Sequence, residues 1–346
     1  MNNLINSHLA FNQVATNKGA GTPGIDERII DDMDLNKLKK YHQKYVHNQY
    51  NPKPVKRVHI PKGKGKTRPL GIPTMHDRII QKALEQLLTP YFENIFSEWS
   101  FGFRPKKYGL DAVKRIEQRF KGIDYLIKID IEGFFDIIDH DILQKMLHKY
   151  IRKEKVLKTI QGWLKADFMD KGWQYKTTSG SPQGGIISPL LANIYLDYLD
   201  KKLGLLVKEG KPQFKINPEY KKTIRLRTYK EREKFNSQIN LNPNLRVEYV
   251  SYADDFIIGV KGERDKAERI KKLVSQWLTR DLGLKVSKDK SKIVPATKGC
   301  KFLSYLVKIN PTRNTITKKT TKNSLNGRVN ILITRETVRK YTNNYG

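Results

Sequence analysis

Cysteine is almost absent: a single residue, Cys300, in 346. That excludes an internal disulfide and any zinc site built on thiolates. No stretch approaches the ~18 uninterrupted apolar residues of a membrane span, and no basic amphipathic helix dominates, so a membrane is not an expected partner. The first twenty residues, MNNLINSHLAFNQVATNKGA, have no basic start, no continuous apolar core and no Arg-rich amphipathic pattern. The expectation is action where the chain is made, in a bacterial cytoplasm or inside an organelle that encodes it. Acidic residues are also scarce: 35 Asp and Glu stand against 67 Lys and Arg, a net charge of +32. So basic a protein repels itself unless it meets a polyanion. Nucleic acid, held by phosphate neutralisation and counterion release, is the first candidate. A generally basic, solvated surface explains only part of the excess.

What is present can fold. Hydrophobic residues make up 38% and fall in periodic blocks, which allows a sizeable core. The length suits one large or two modest domains. No internal repeat or long linker divides the chain. Residues 17–26, NKGAGTPGID, form a Gly/Pro-punctuated loop after a short helical start. Residues 53–73 pattern as two extended segments joined by a Gly/Lys turn. Helical spacing predicts helices over about 75–91, 111–120, 140–150, 154–169, 184–200 and 263–281. YLIKIDI (125–131) suits a buried strand. EYVSYADDFIIGVKG (248–262) has the outline of a β-hairpin, and a strand is expected near 301–308. Residues 205–248, crowded with Lys, Arg, Tyr and Asn, pattern as a basic insertion, and the tail from Pro311 is polar and basic. The fold class is α+β: an antiparallel sheet backed by helices.

The chemistry centres on carboxylates in apolar company. Asp130 lies within YLIKIDIEGFF, and Asp254–Asp255 lie between YVSYA and FIIGV. A carboxylate buried there costs several kcal/mol unless a cation or hydrogen bonds compensate it. Three from neighbouring strands, ~5 Å apart, make a site suited to Mg²⁺, which takes hard oxygen ligands and completes its shell with substrate phosphates. Two such ions ~3.5–4 Å apart carry out phosphoryl transfer. Alone, an Asp-Asp pair also suits a β-turn, and Asp130 alone suits a strand-end cap. Their coexistence in so basic a chain favours catalysis.

Tyr252-Ala253-Asp254-Asp255 matches the signature box of reverse transcriptases, and YADDFIIGVKG resembles the version in group II intron maturases. Seven further blocks follow the family's order across residues 17–307: NKGAGTPGID, HIPKGKGKTRPLGIPT (59–74), FGFRP (101–105), KIDIEGFFDIIDH (128–140), SGSPQGGIISPLLANIYLDYLD (179–200), GLKVSKDKSKI (283–293) and KFLSYLV (301–307). The resemblance implies a right-hand polymerase. An N-terminal extension and fingers would occupy 1–110, and the palm 111–310 with fingers elements and the basic insertion at about 205–248. The start of a thumb, cut short, would occupy 311–346. Ser304 stands where the family usually has glycine.

The same resemblance implies roles. Asp130, Asp254 and Asp255 would be the catalytic acids: Asp130 and Asp254 would hold both metals (two Mg²⁺, with Mn²⁺ as a substitute), Asp255 would be a third acid of the metal site, close by and acting partly through other ligands, and the Ile131 carbonyl could add a ligand. Phe135 would lie beneath the sugar and exclude a ribose 2′-OH, with ordinary core as the alternative for one of Phe134 and Phe135. Arg68 and Lys62 would hold the triphosphate, or else contact RNA backbone or solvent. Gln183 would pack against the nucleotide and its template base. Lys290 would approach the triphosphate, though Lys288 and Lys292 compete for that role. Arg104 would be structural or touch the template, and Lys221, Lys222, Arg225 and Arg227 would meet RNA. Implied partners are group II intron RNA, an RNA template with a DNA primer, and dNTPs; oligomeric state is left open. The expected activity is RNA-directed DNA synthesis supporting intron mobility. The competing expectation is an RNA-binding maturase that aids splicing. Retron or diversity-generating lineages are disfavoured by NKGAGTPGID and the Leu325-Asn326-Gly327 tail, and an RNA polymerase by Phe135.

Overall fold

The computed structural model describes residues 3–63, 65–181, 184–209, 214–216, 238–240, 246–311 and 327–345. Gln183, Lys221, Lys222, Arg225 and Arg227 lie outside the described residues, as does the Lys62 side chain. In chain order, α1 (Leu4–Ala15) and α2 (Leu35–Val46) precede the hairpin of β1 (Val55–Gly63) and β2 (Lys66–Ile72). Helices α3 (Met75–Glu93) and α4 (Gly109–Arg119) lead to β3 (Tyr125–Ile129), then α5 (His140–His148) and α6 (Glu154–Leu164). The short strands β4 (Phe168–Asp170) and β5 (Trp173–Tyr175) come before α7 (Ser188–Glu209). Strands β6 (Phe214–Ile216) and β7 (Gln238–Asn240) pair with each other, and β8 (Arg246–Tyr252) and β9 (Asp255–Lys261) form the acidic hairpin. Helix α8 (Arg264–Gln276), β10 (Lys292–Pro295), β11 (Cys300–Phe302), β12 (Tyr305–Ile309), β13 (Val329–Ile333) and α9 (Arg335–Tyr345) follow.

The central sheet has the order β10-β3-β9-β8, antiparallel throughout. Its strands are apolar at consecutive positions because both faces are covered. One face, with Ile127, Ile129, Phe256 and Ile258, joins the large core formed with α7 and α8. The other, with Leu126, Val250 and Ile257, packs against Ala112, Val113 and Ile116 of α4 and against Cys300, Phe302 and Val307. Strands buried on two sides lose the in-out alternation and require branched residues, which YLIKI and FIIGV supply. A second four-stranded sheet, β2-β1-β4-β5, stands beside it, with β1 and β4 parallel. The expected α+β class, an antiparallel sheet backed by helices, is what forms.

Helices α1, α2 and α3 enclose a third core of Ala10, Val14, Met33, Leu38, Met75, Ile79 and Ala83. The buried Arg78 guanidinium donates to the carbonyls of Gly19, Thr22 and Pro73, which fixes the 17–26 loop against the end of β2. Local extents differ from the sequence reading in three places. The helix expected over 184–200 begins at Ser188 and runs to Glu209, because Leu203 and Val207 continue its buried face. The helix expected over 154–169 stops at Leu164, and the next residues become the β4–β5 hairpin. The single strand expected near 301–308 is two strands folded about Leu303–Ser304, with Leu303 at φ +52°.

Among the described residues, a buried acid on α7 is held by hydroxyls. Asp200, on α7, is 3% exposed and accepts from Tyr249 Oη and from Ser251 Oγ at 3.3 Å. Burial and repulsion from Asp197 outweigh these hydrogen bonds and push its carboxyl up to about 6. An acid raised on folding favours the native state fully below its unfolded value and loses that contribution as pH rises through the folded value. Asp200→Asn keeps the acceptor and removes the charge. Its stability relative to the parent should therefore rise by about 1 kcal/mol between pH 5 and pH 7.5. Thermal unfolding at the two pH values checks this; a difference independent of pH contradicts it.

Candidate active site

The register of β3 on β9 pairs Ile129 with Phe256, so Asp130 emerges from its strand level with the tip of the β8–β9 hairpin. That tip is a two-residue turn, Ala253–Asp254, closed by the Tyr252–Asp255 pair, with Ala253 in the left-handed region at φ +54°. Positive φ is uncommon for a residue with a Cβ and marks a conformation imposed by its surroundings. The FGFRP loop supplies that surrounding. Phe101 N–H donates to Ser251 O at 3.0 Å, and Ser251 N–H donates to Trp99 O at 2.9 Å. Gly102 lies so close that a Cβ there would stand 2.2 Å from Ala253 N. Asn193 of α7 holds the other side of the loop, donating to Gly102 O at 2.9 Å.

Residues 284–291 wrap Asp130 in the same way. Its N–H donates to Ser291 Oγ at 3.0 Å, and its carbonyl accepts from Ser287 N–H at 2.9 Å. Ile131 is bridged to Val286 through bonds made by its neighbours, Glu132 N–H to Lys285 O among them, so that bridge does not use the Ile131 carbonyl. The wrapping brings Lys290 Nζ to 3.4 Å from Asp130 Oδ2. Of the three lysines in KDKSK, Lys290 is the one at the acid.

These elements enclose a cavity of about 530 Å³ lined by Asp130, Ile131, Asp254, Arg68, Phe135 and Lys290, among others. Gly184 and Gly185 form part of the wall, and Gly184 (φ +110°) is pressed so near β2 that a Cβ would lie 2.3 Å from Gly71 O. Both Phe134 and Phe135 line the cavity; Phe134 is 2% exposed, and Phe135 is half-buried against the same core. The Asp254 carboxyl is raised above its ordinary value, first by burial and then by repulsion from Asp255 and Asp130; its own N–H and Arg68 oppose the rise.

Asp255 is placed differently. Its Oδ2 accepts from Leu303 N–H at 3.1 Å and its Oδ1 lies 3.1 Å from Lys128 Nζ, and neither Asp255 nor Lys128 lines the cavity. Among the described residues no three His, Cys, Asp or Glu side chains come together to hold a metal ion. Two carboxylates share the cleft, and the third ties the hairpin to the β11–β12 turn. Two hard-oxygen acids, one already destabilised as an anion, still fit a divalent cation whose shell is completed by phosphates.

Arg104 is not at an RNA-facing surface. It is 7% exposed, paired with Glu93 at 3.0 Å, and donates to Ser97 O and Ser100 O at 2.6 and 2.8 Å. A planar guanidinium so fully engaged is an internal brace for the FGFRP loop, which corrects its assignment as an RNA contact. Sequence reasoning also passed over Gly102, Ser287 and Ser291. Only Gly102 carried a local signal, as a glycine between two large aromatics.

The description "Reverse transcriptase (RNA-dependent DNA polymerase)" fits residues 60–307. Group II intron-encoded protein LtrA of Lactococcus lactis subsp. cremoris is 36% identical, over 94% of this chain and 59% of its own length. This chain belongs to the group II intron reverse transcriptase/maturase family. The putative COX1/OXI3 intron 1 protein of Saccharomyces cerevisiae is 33% identical over 92% of the chain and 40% of its own length. Protein YkfC of Escherichia coli is 32% identical over 84% of the chain and 77% of its own. The chain thus spans about three-fifths of LtrA. No helix among the described residues is long and apolar enough to cross a membrane.

In this chain the hairpin tip depends on Gly102. Gly102→Ala should lower stability by about 1–3 kcal/mol, the usual cost of forcing atoms into filled space. Gly19→Ala, where a Cβ meets nothing within 4 Å, should change it by less than about 0.5 kcal/mol. Equal melting temperatures for the two variants would contradict the close approach.

Proposed function

We propose that the chain is an RNA-directed DNA polymerase of a group II intron, extending a DNA primer on an RNA template, and that it binds intron RNA to assist splicing. What carries the proposal is one cleft that brings together two acids from separate strands, two cations and an aromatic wall. In this reading 1–110 supplies the N-terminal extension and fingers, 111–310 the palm, and 311–346 the start of the thumb. Asp130, Asp254 and the Ile131 carbonyl are the hard-oxygen donors for Mg²⁺, with Mn²⁺ as substitute. When bound, a pair of such ions activates the attacking 3′-oxygen and stabilises the leaving pyrophosphate.

Arg68 on β2 and Lys290 beside Asp130, both lining the cleft, meet the triphosphate and offset the charge that develops during transfer. Lys62, on the same hairpin as Arg68, is assigned to the triphosphate, and Gln183, next to Gly184, to the nucleotide and its template base. The glycines let backbone approach the nucleotide closely. Phe135 closes the floor where a ribose 2′-OH would sit. Asp255 holds the hairpin through Leu303 and Lys128 and acts from outside the cleft. Lys221, Lys222, Arg225 and Arg227 are assigned to intron RNA. A splicing role without DNA synthesis draws on one observation, the engagement of the Asp255 carboxylate with Leu303 N–H and Lys128 Nζ.

Mg²⁺-dependent extension of a DNA primer on an RNA template decides between them. Activity in the parent that falls at least a hundredfold in Asp254→Asn supports the polymerase. No extension in the parent, with RNA binding retained, leaves the splicing role. Asp254→Asn should also melt higher than the parent at neutral pH without metal, and the gain should shrink as pH falls below the ordinary carboxylate value, since the raised acid is then protonated in both states. A lower melting temperature at neutral pH contradicts the burial argument. Phe135→Ala should raise incorporation of ribonucleotides relative to deoxynucleotides by tenfold or more; an unchanged ratio removes its role as gate.

A further inference from the structure

The β4–β5 hairpin is a part of the molecule that the proposed chemistry does not use. Its turn, Lys171–Gly172, has positive φ at both residues (+50° and +87°), the conformation that gives a tight two-residue connection. Pairing of Phe168 with Tyr175 and of Asp170 with Trp173 puts these four side chains on one face. The parallel register of β1, Val55 to Phe168, adds Arg57 and His59 to that face. Phe168 and Tyr175 stack at 5.2 Å between centroids and 13° between planes. The Arg57 guanidinium carbon lies 3.3 Å from the Phe168 centroid on this stack. Tyr175 is 47% exposed and Trp173 is 73% exposed, on the edge strand of the sheet.

Large rings left in water on a sheet edge are a liability unless something covers them. The charges around them indicate what. Lys171 and Lys176 are exposed beside the rings. The nearby acids are engaged: Asp170 with His59 at 2.9 Å, and Asp167 with Gln174 at 2.6 Å. A second copy of this chain would bring the same cations against these. A cavity of about 160 Å³, lined by Arg57, Phe168, Lys176 and Phe135, runs from the stack to the back of Phe135. Arg68 and Leu70, which line the catalytic cleft, alternate with Pro69 and Gly71 along β2, and it is Pro69 and Gly71 that pair with His59 and Arg57. The stack therefore lies on the sheet face opposite Arg68.

We propose that Trp173, Tyr175, Phe168 and Arg57 form a stacking platform for unpaired bases of RNA, with Lys171 and Lys176 meeting its phosphates. The inference rests on the reading of the chain as an RNA-handling protein and adds a second contact surface to it. Flat π-faces flanked by cations take any base, so recognition is of single-stranded character and not of sequence.

The test compares the full chain with Trp173→Ala/Tyr175→Ala, and with Trp173→Phe/Tyr175→Phe. Binding of a fluorescein-labelled single-stranded 20-nucleotide RNA and of a blunt RNA duplex is followed by anisotropy over a salt series. The alanine pair should weaken single-strand binding about tenfold or more, leave duplex binding and the salt slope unchanged, and be rescued by the phenylalanine pair. Unchanged single-strand binding, or equal loss for the duplex, overturns the platform. A shift from dimer to monomer in sedimentation with RNA binding intact overturns it in favour of a protein contact. A parent that binds no RNA contradicts the underlying reading instead.

Discussion

The antiparallel register between β3 and the β8–β9 hairpin is the constraint on which the site depends. With Ile129 opposite Phe256, Asp130 leaves the sheet beside the turn that carries Asp254. A slip of one residue would turn every side chain of β3 to the other face. It would send Lys128 and Asp130 into the large core and expel Ile127 and Ile129 from it. Burying a carboxylate and an ammonium there costs several kcal/mol each. The packing that stabilises the sheet thus also selects the arrangement in which the acids meet.

That arrangement works against itself electrostatically, and the surrounding residues manage the conflict. Lys290 faces Asp130, Arg68 opposes the raised carboxyl of Asp254, and Lys128 with Leu303 N–H holds Asp255 aside. Backbone clamps do the rest. The 284–291 segment bonds to Asp130 through Ser287 and Ser291, and the 99–104 loop presses Gly102 onto Ala253. Arg104 and Asn193 fix that loop from behind. A cation entering the cleft would relieve the repulsion between Asp130 and Asp254 that folding leaves there.

Much of this was legible in the sequence, and the reasons it was not all legible are physical. The long helices and the acidic hairpin announce themselves through apolar runs of strand or helix period, and the acids stand out because they interrupt those runs. Phe135 was singled out from Phe134 only through the family resemblance, since adjacent aromatics look alike in composition and spacing; both line the cleft, and Phe134 is the more deeply buried. Arg104 was ambiguous because a basic residue reads the same whether it meets a phosphate or a glutamate eleven residues earlier. The β4–β5 hairpin was hidden because strands of three residues carry no resolvable period, and the apolar spacing of α6 runs on into Phe168. β13 was missed in a tail whose charge suggested no packing partner, although it completes the β11–β12 sheet.

The central claim is that Asp130 and Asp254, delivered by separate strands, bind one divalent cation between them. Iron-mediated cleavage tests it directly: Fe²⁺ takes the site of Mg²⁺, and ascorbate with peroxide cuts the backbone near the bound ion. The account predicts cuts near residues 130 and 254 together, both suppressed by excess Mg²⁺ and both lost in Asp130→Asn. Cuts at one segment alone, or at both with no response to Asp130→Asn, would contradict it.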